Sequence, residues 1–330
     1  MATWTSLRAI ILLVNIILAT SGPKLTPFLL EVNIANNAEA FAKGDHPGYE
    51  ETAWIGLQQT IETINEKRIK IAINGGALNP RGLALKTVEL VSIIVLRQYK
   101  SSNNKQIHEK GYNLRVAYVS GDDLRSQVGP TMPTSKEQAI PHLDSQNVNV
   151  QQTSETYLFT RNPSVPAKVV SANAYLGARS ITRALEEGAD IVICGRVSDA
   201  SPVIAAAWYW WGWSETDYDA LAGALVAGHL IECSAYSTGG NFAGFYRYDI
   251  DKFVNPGFPI AEVAKNGDCV ITKHPGTGGM VTVDTCRSQL VYELQGNIYL
   301  NSDVTAYLDD VEVKQVSEDR SVHPLSLIHI

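Results

Sequence analysis

The sequence predicts an α/β protein with a mostly parallel sheet and flanking helices in Rossmann-like layers. Three short apolar runs, at residues 69–73, 114–119 and 190–194, each lead into a polar turn that contains glycine. The first turn is followed by a helix that starts near Leu83, and a strand, a glycine turn and a helix form the βα unit of a parallel sheet. Glycine-rich loops are therefore expected at the carboxyl ends of the strands.

The other elements are predicted in chain order from local patterns. Residues 28–32 are expected to form a short strand that runs into a loop at 31–37. Residues 50–65 are expected to form a helix, because their large apolar side chains recur on one helical face. A strand at 168–170 leads to a helix at 180–187, which Gly188 ends. The remaining elements are helices at 205–213, 218–232 and within 280–294, with strands at 258–263 and 269–272.

Several segments do not fit a compact α/β unit, so the predicted domain covers residues 28–320. Residues 1–27 are interpreted as an apolar extension, in which residues 9–19 have the length of a signal-peptide core and are too short for a membrane span. The alternatives for this run are a wrongly assigned start of the sequence or a buried strand. Residues 92–108 change abruptly in composition and are interpreted as an insertion, and residues 129–164 as a surface excursion. Residues 321–330 are interpreted as a non-native tail, which would leave an exposed strand at 311–316 without its partner.

Composition excludes some classes of protein. The net charge is −7 and no basic face is evident, which argues against a nucleic-acid partner. None of the four cysteines forms a C-x-x-C pair, so neither a zinc ribbon nor a disulfide framework is indicated. Reduced thiols suggest a cytoplasmic protein, and the secretory pathway is the alternative if residues 9–19 act as a signal peptide.

Polar residues follow the predicted strands. Ligands of open parallel sheets bind at the carboxyl ends of the strands, which predicts a binding rim there. No G-x-G-x-x-G motif follows any strand, so no dinucleotide cofactor is expected. The rim residues are Asn79, Arg81, Asp122, Asp123, Asn173, Tyr175, Arg196 and Asp199.

A first glycine-rich stretch, residues 227–245, carries a candidate acid/base pair. His229 and Glu232 are three residues apart on one helix, so their side chains can face the same way. We expect them to act as general acid and base, with Asn241 stabilising an oxyanion beside Gly239 and Gly240. The alternative is a core histidine bonded to a carbonyl, and the sequence identifies no third or fourth ligand for a metal.

A second glycine-rich stretch, residues 273–285, is a candidate anion site. Backbone amides in such a turn can cradle a phosphate or a carboxylate, although a plain structural turn with a solvated lysine is the alternative. We expect the two stretches to form two walls of one cleft, with His229, Asn241 and Lys273 close together and facing the rim. The expected anion-binding residues are Lys273, His274, Gly276, Thr277, Gly278 and Gly279, together with Gly239 and Gly240 of the first stretch.

Six motifs resemble, in order, those of the acyclic terpene utilisation protein A family: residues 74–82, 120–124, 171–179, 193–201, 227–233 and 273–279. The resemblance implies a role in the catabolism of acyclic terpenes such as citronellol and geraniol, or of related branched acids, as CoA thioesters. It implies no catalytic residues. Some relatives are joined to biotin-dependent acyl-CoA carboxylase regions. The chain departs from the family pattern in its first 30 residues, at 92–108 and at its C-terminal end.

Three hypotheses follow. The first is an enzyme that performs acid/base chemistry next to the carbonyl of a branched acyl-CoA, as a hydratase or a lyase does, with no cofactor identified. The second is a non-catalytic subunit of an acyl-CoA carboxylase-type assembly, or a homo-oligomer, with the tryptophan-rich helix at 205–213 as interface. The third is a metal-dependent hydrolase that uses Asp122, Asp123, Asp199 and His229.

Overall fold

The structure is a computed structural model that describes residues 30–101, 112–128, 148, 169–294, 296–309 and 311–323. Seven of its helices and three strands precede residue 232, whereas six strands and one helix follow residue 258 in the described part of the chain. The helices are α1 (Leu30–Lys43), α2 (Glu51–Lys67), α3 (Pro80–Ser101), α4 (Arg125–Val128), α5 (Arg179–Glu186), α6 (Ser201–Trp211), α7 (Tyr218–Ile231) and α8 (Val283–Glu293). The strands are β1 (Ile71–Ile73), β2 (Val116–Val119), β3 (Ile191–Cys194), β4 (Pro259–Val263), β5 (Cys269–Lys273), β6 (Ile298–Leu300), β7 (Thr305–Tyr307), β8 (Lys314–Ser317) and β9 (Arg320–His323).

A parallel sheet of order β1-β3-β2 forms the centre of the described fold. Strand β3 is fully buried because it packs helices on both faces, which explains its continuous apolar sequence. Ile191 and Ile193 face a core that includes residues of α2 and α3. Val192 and Cys194 face a larger core that includes residues of α5, α6 and α7. The predicted α/β class and the glycine-bearing turns after these three strands are confirmed.

The prediction of a mostly parallel sheet is wrong. The parallel sheet has three strands, whereas a four-stranded sheet of order β4-β5-β9-β8 and the β6-β7 pair are antiparallel. The predicted strand at 168–170 also fails over the described residues, since 169 and 170 have no regular structure and Asn173 forms an isolated bridge to Asp123. A Rossmann-like layering is therefore not established. Local apolar runs identify strands, but pairing partners decide direction.

The region around residue 31 is helical, which corrects the predicted strand at 28–32 and loop at 31–37. Helix α1 buries Leu30, Ile34 and Ala38, which recur every fourth residue. This helical period outweighs the asparagines that suggested a loop, because burial of one face stabilises a helix more than propensity does. Leu30 and Ile34 pack with Ala77 in the turn after β1. Helix α1 therefore contacts the carboxyl end of the parallel sheet.

The structure describes parts of the segments that did not fit a compact unit. Residues 92–101 continue helix α3, while residues 1–29, 102–111 and 129–147 lie outside the described residues. The expectation that the strand at 311–316 lacks a partner is wrong, because β8 pairs with β9. Residues 321–323 of the predicted tail are part of β9. No helix in the described parts of the chain is long and apolar enough to cross a membrane.

The tryptophan-rich end of α6 is mostly anchored within the chain. The indole N–H groups of Trp208, Trp211 and Trp213 donate to backbone carbonyls, two of them at Val263 and Lys265 of the β4–β5 hairpin. These bonds fix the helix to the antiparallel sheet. Trp210 is the exception, at 42% exposure, so it is the indole of this helix available to a partner.

Candidate functional site

A buried histidine and glutamate form the centre of the site. Helix α7 is apolar around most of its circumference and is buried over its last three turns, so it carries His229 into the interior. Glu232 follows directly at the end of the helix. His229 Nδ1 lies 3.1 Å from Glu232 Oε1, and both side chains are almost fully buried. The predicted pair therefore exists, with the geometry of a hydrogen bond.

A third carboxylate, which the sequence interpretation missed, completes this centre. Glu293 at the end of α8 places Oε2 at 3.8 Å from His229 Nδ1. Gln289, one turn earlier on α8, donates to Glu293 Oε1 and to the carbonyl of His229. The Cys233 thiol also donates to Glu293 Oε1, at 3.1 Å. No local pattern indicates Glu293, because α8 comes about 50 residues after α7 in sequence and meets it only in the fold.

Burial displaces the protonation equilibria of the centre. It lowers the pKa of His229 to about 4, because the interior disfavours the imidazolium. It raises the pKa of Glu232 well above the usual value, and the Asp199 charge and the hydrogen bond with Glu293 raise it further. Tyr299, whose ring meets His229 edge-on at 4.7 Å, has a pKa raised to about 12, first by burial. At neutral pH the imidazole is therefore neutral, and burial makes Glu232 a weaker acid than an exposed glutamate.

Three predicted rim residues, Arg196, Asp199 and Tyr175, lie beside the centre. Arg196, two residues after β3, donates from Nη2 to Asp199 Oδ1 at 2.8 Å and to Glu31 Oε1 at 2.9 Å. Tyr175 stacks on its guanidinium at 3.9 Å. Burial raises the pKa of Asp199, and the charge of Glu293 adds to this effect. The end of β3 and the ends of α7 and α8 thus share one electrostatic environment.

The other predicted rim residues have structural contacts instead. Asn79 begins α3, because its Oδ1 accepts from the amide of Gly82 while its Nδ2 donates to Pro47. Asp122 is buried and accepts from the amide of Arg196 and from Asn173. A fork of hydrogen bonds ties Asp123 to Arg125 at the surface. Asn79, Asp122, Asp123 and Asn173 thus have hydrogen-bond partners within the chain, while Arg81 lies exposed on the first turn of α3.

Several groups of the predicted anion cradle at 273–279 bond within the chain. The amides of Gly278 and Gly279 donate to the carbonyls of Asn255 and Lys252, so they are not directed at a ligand. Lys273 donates to the Thr277 carbonyl at 3.0 Å and pairs with Asp319 at 3.3 Å. The turn is therefore held by its own contacts, in which Thr277 also donates to the carbonyl of His274. Gly276 has φ +78° in this exposed turn, where glycine is favoured.

The two glycine-rich stretches do meet, but through their backbones. The amide of Met280 donates to the carbonyl of Thr238 at 2.9 Å. Gly279 lies so close that a Cβ there would come within 2.5 Å of the same carbonyl. Gly239, with φ +116°, lies in the π-helical turn Tyr236–Gly240 that makes this approach. The stretches thus form a packed junction, which replaces the cleft walls expected from sequence.

Asn241 lies at a surface groove. It lines this groove together with Phe242, Arg287 and Tyr292, whereas neither His229 nor Lys273 does. Lys273 likewise makes its contacts in its own turn and with Asp319. The expected grouping of His229, Asn241 and Lys273 is not supported by these contacts. His229 is grouped instead with Glu232 and Glu293.

The centre also has the donor set of a metal site. One ligand atom each from His229, Glu232 and Glu293 lies within 4.8 Å of the others. An imidazole nitrogen with two carboxylates suits a divalent transition-metal ion. Three of the four predicted metal ligands, Asp122, Asp123 and Asp199, are not part of this group among the described residues.

The fold and site define an α/β protein with a buried histidine–glutamate centre beside the carboxyl end of a small parallel sheet. A model of the family described as acyclic terpene utilisation family protein AtuA matches residues 26–323. The chain belongs to this family, which indicates a role in acyclic terpene utilisation. Neither the curated proteins nor the solved structures include a significant match to the chain.

Proposed function

We propose that the chain is an enzyme of acyclic terpene or branched acyl-CoA catabolism that transfers a proton next to a carbonyl, as hydratases and lyases do. The observation that carries the proposal is the buried contact of His229 with Glu232 and Glu293. Buried ionisable groups are unfavourable for stability, and groups with displaced pKa values cluster at functional sites. Family membership supports the substrate class, since the family is described by its role in acyclic terpene utilisation.

His229 and Glu232 are suited to opposite roles in proton transfer. With a pKa of about 4, His229 is neutral at neutral pH and can accept a proton. Burial raises the pKa of Glu232, so this residue can hold a proton and return it. In the tautomer where Nδ1–H donates to Glu232, the acceptor is Nε2, which has no hydrogen-bond partner among the described residues. We assign proton transfer with the substrate to this Nε2 atom.

The test is turnover of branched acyl-CoAs by His229→Gln and Glu232→Gln variants. Gln keeps side-chain polarity and similar volume but cannot exchange the proton. We expect each variant to lose about 10²–10⁴-fold in kcat, the usual contribution of a general acid or base. Two variants outside the centre serve as controls: His46→Gln, at a turn, and Glu187→Gln, at an exposed ion pair. Unchanged turnover by a folded His229→Gln protein would disprove the acid/base role.

A metal-dependent hydrolase is the second candidate, because the three side chains of the centre have a ligand-like arrangement. In that case the ligands of the metal ion would be His229, Glu232 and Glu293, and not the aspartates predicted from the sequence. Such an ion would polarise a carbonyl or activate water. Elemental analysis of the purified protein separates the candidates. Stoichiometric metal that is lost in the Glu293→Gln variant supports the hydrolase, whereas full turnover in the presence of chelator supports the metal-independent enzyme.

A further inference from the structure

Arg196 has buried donors that its contacts within the chain do not use. Its side chain is 2% exposed, and only Nη2 of its guanidinium bonds to carboxylates, those of Asp199 and Glu31. Nε and Nη1 have no hydrogen-bond partner among the residues that the structure describes. Buried donors are satisfied in more than nine of ten cases, and charged ones are the most costly to leave unpaired. The arrangement therefore indicates an acceptor that a ligand brings.

The orientation of this guanidinium is fixed. The ring of Tyr175 lies 3.9 Å from the guanidinium carbon and covers one face, while the Tyr175 hydroxyl donates to Glu31 at 3.3 Å. The backbone amide of Arg196 donates to the buried Asp122. A ligand can thus approach only through the edges that carry Nε and Nη1. A planar, preoriented guanidinium loses little entropy when it binds such an acceptor.

A second buried amide without partners ends the neighbouring strand. Asn74 directly follows β1, is fully buried, and has no partner for Nδ2 or Oδ1 in the described part of the chain. β1 and β3 are parallel neighbours, with Ile73 opposite Ile193, so both residues lie at the same edge of the sheet. The carboxyl edge of a parallel sheet is where ligands bind in open α/β folds.

The surrounding charge decides between ligand classes. Asp199 and Glu31 each pair with Nη2, so two carboxylates already face the single positive charge of the guanidinium. A ligand that carries a full negative charge before reaction, such as a phosphate or a free carboxylate, would be repelled by these two carboxylates. A carbonyl oxygen is an acceptor without a net charge, and it avoids this repulsion when it binds. Hydrogen bonds from Nε and Nη1 would then strengthen as partial negative charge develops on this oxygen in the transition state.

We propose that Arg196, with Asn74, binds the thioester carbonyl oxygen of a branched acyl-CoA. This inference rests on the proposed function and deepens it by assigning the group that holds the reacting carbonyl. When the centre removes a proton from the carbon next to the carbonyl, the C–H electron pair moves to form an enolate whose charge lies on the oxygen at Arg196. The proton passes to the His229–Glu232 pair. Arg196 thereby takes the oxyanion role first expected for Asn241.

The test measures binding, so it does not depend on turnover. Citronellyl-CoA, CoA alone and citronellic acid are titrated against the full chain and against Arg196→Lys, which keeps the charge for Asp199 and Glu31 but loses the other donors. We expect about tenfold to hundredfold weaker binding of citronellyl-CoA, the usual effect of losing a charge-assisted bond, and no change for CoA. Arg183→Lys, at an exposed ion pair, is the matched control.

A second readout and a second variant keep the inference falsifiable. A ¹³C-labelled thioester carbonyl should show a lower infrared stretching frequency when bound to the wild type than when bound to Arg196→Lys, which a merely structural role would not produce. Asn74→Ala should bind the thioester more weakly with unchanged or higher stability, since it removes unpaired buried atoms.

Three results would overturn the inference: no binding of the thioester by the wild type, equal binding by Arg196→Lys, or citronellic acid bound more tightly than the thioester. If the carbonyl is polarised while His229→Gln retains turnover, the acid/base role fails and the carbonyl site stands.

Discussion

Replacing Gly228 by alanine should separate the two halves of the site. A Cβ on residue 228 would lie 2.6 Å from Cβ and 2.7 Å from Cα of Ala200, the residue that precedes α6. Ordinary carbon–carbon contacts are about 3.5–4 Å, so α7 and the start of α6 must part by about 1 Å. Ala200 follows Asp199, and Gly228 precedes His229, so the same shift moves the rim away from the centre.

The energetic cost follows from two opposing effects. Overpacking of a close-packed interior costs about 1–3 kcal/mol, whereas replacing glycine in a helix by alanine gains up to about 1 kcal/mol. We therefore expect a net loss of about 1–2 kcal/mol in the free energy of unfolding. The effect on catalysis should be larger, because a misplacement of about 1 Å can cost about 10²-fold in rate.

Urea unfolding at unchanged m-value measures the stability, and turnover of branched acyl-CoAs measures the catalytic effect. Gly56→Ala is the matched control, because Gly56 lies within α2 and a Cβ on this residue would meet nothing within 4 Å. It should gain up to about 1 kcal/mol. A Gly228→Ala protein as stable and as active as the wild type would show that the close approach of α7 to Ala200 is unimportant.

Three further predictions concern other parts of the chain. Burial raises the pKa of Glu50, and the hydrogen bond from Asn33 opposes this effect. The folded state therefore loses stability as the pH rises from the pKa of Glu50 in the unfolded chain towards its higher pKa in the folded protein. Glu50→Gln should remove this part of the pH dependence in thermal unfolding, and an unchanged profile would contradict it. Burial raises the pKa of Cys233, so iodoacetamide at pH 8 should react with this thiol far more slowly than it reacts with the thiol of free glutathione. Rapid labelling of Cys233 would argue against its burial and its hydrogen bond to Glu293. If the chain is a scaffold subunit, Trp210→Ala should abolish co-purification with carboxylase subunits while leaving thermal stability unchanged, and an intact complex would count against that hypothesis.

Much of the fold could be predicted because its signals are local. The helical period of residues 50–65, the stop at Gly188 and the apolar run of β3 each depend on neighbouring residues, and all three are confirmed. Helix α1 has the same kind of local signal in its buried Leu30 and Ile34, but its asparagines favour a loop and led to the wrong prediction. Strand direction was mispredicted because it depends on pairing between distant segments.

The candidate site divides in the same way. The contact of His229 with Glu232 follows from their spacing on one helix, and the rim position of Arg196 follows from its place after a buried strand. The roles of the glycine turns did not follow, since an amide's availability depends on whether a distant carbonyl accepts from it. At Gly278 and Gly279 the carbonyls of a remote loop do so.

The sequence by itself determined the family, the α/β class, the histidine–glutamate pair and the strand ends at which polar residues gather. These features are set by residue types and short spacings, which local backbone geometry converts directly into structure. Only the tertiary structure decided that Glu293 completes the centre, that Lys273 pairs with Asp319, and that Arg196 is buried with unused donors. Burial and long-range contacts set protonation and hydrogen bonding, and both arise only when distant segments pack together.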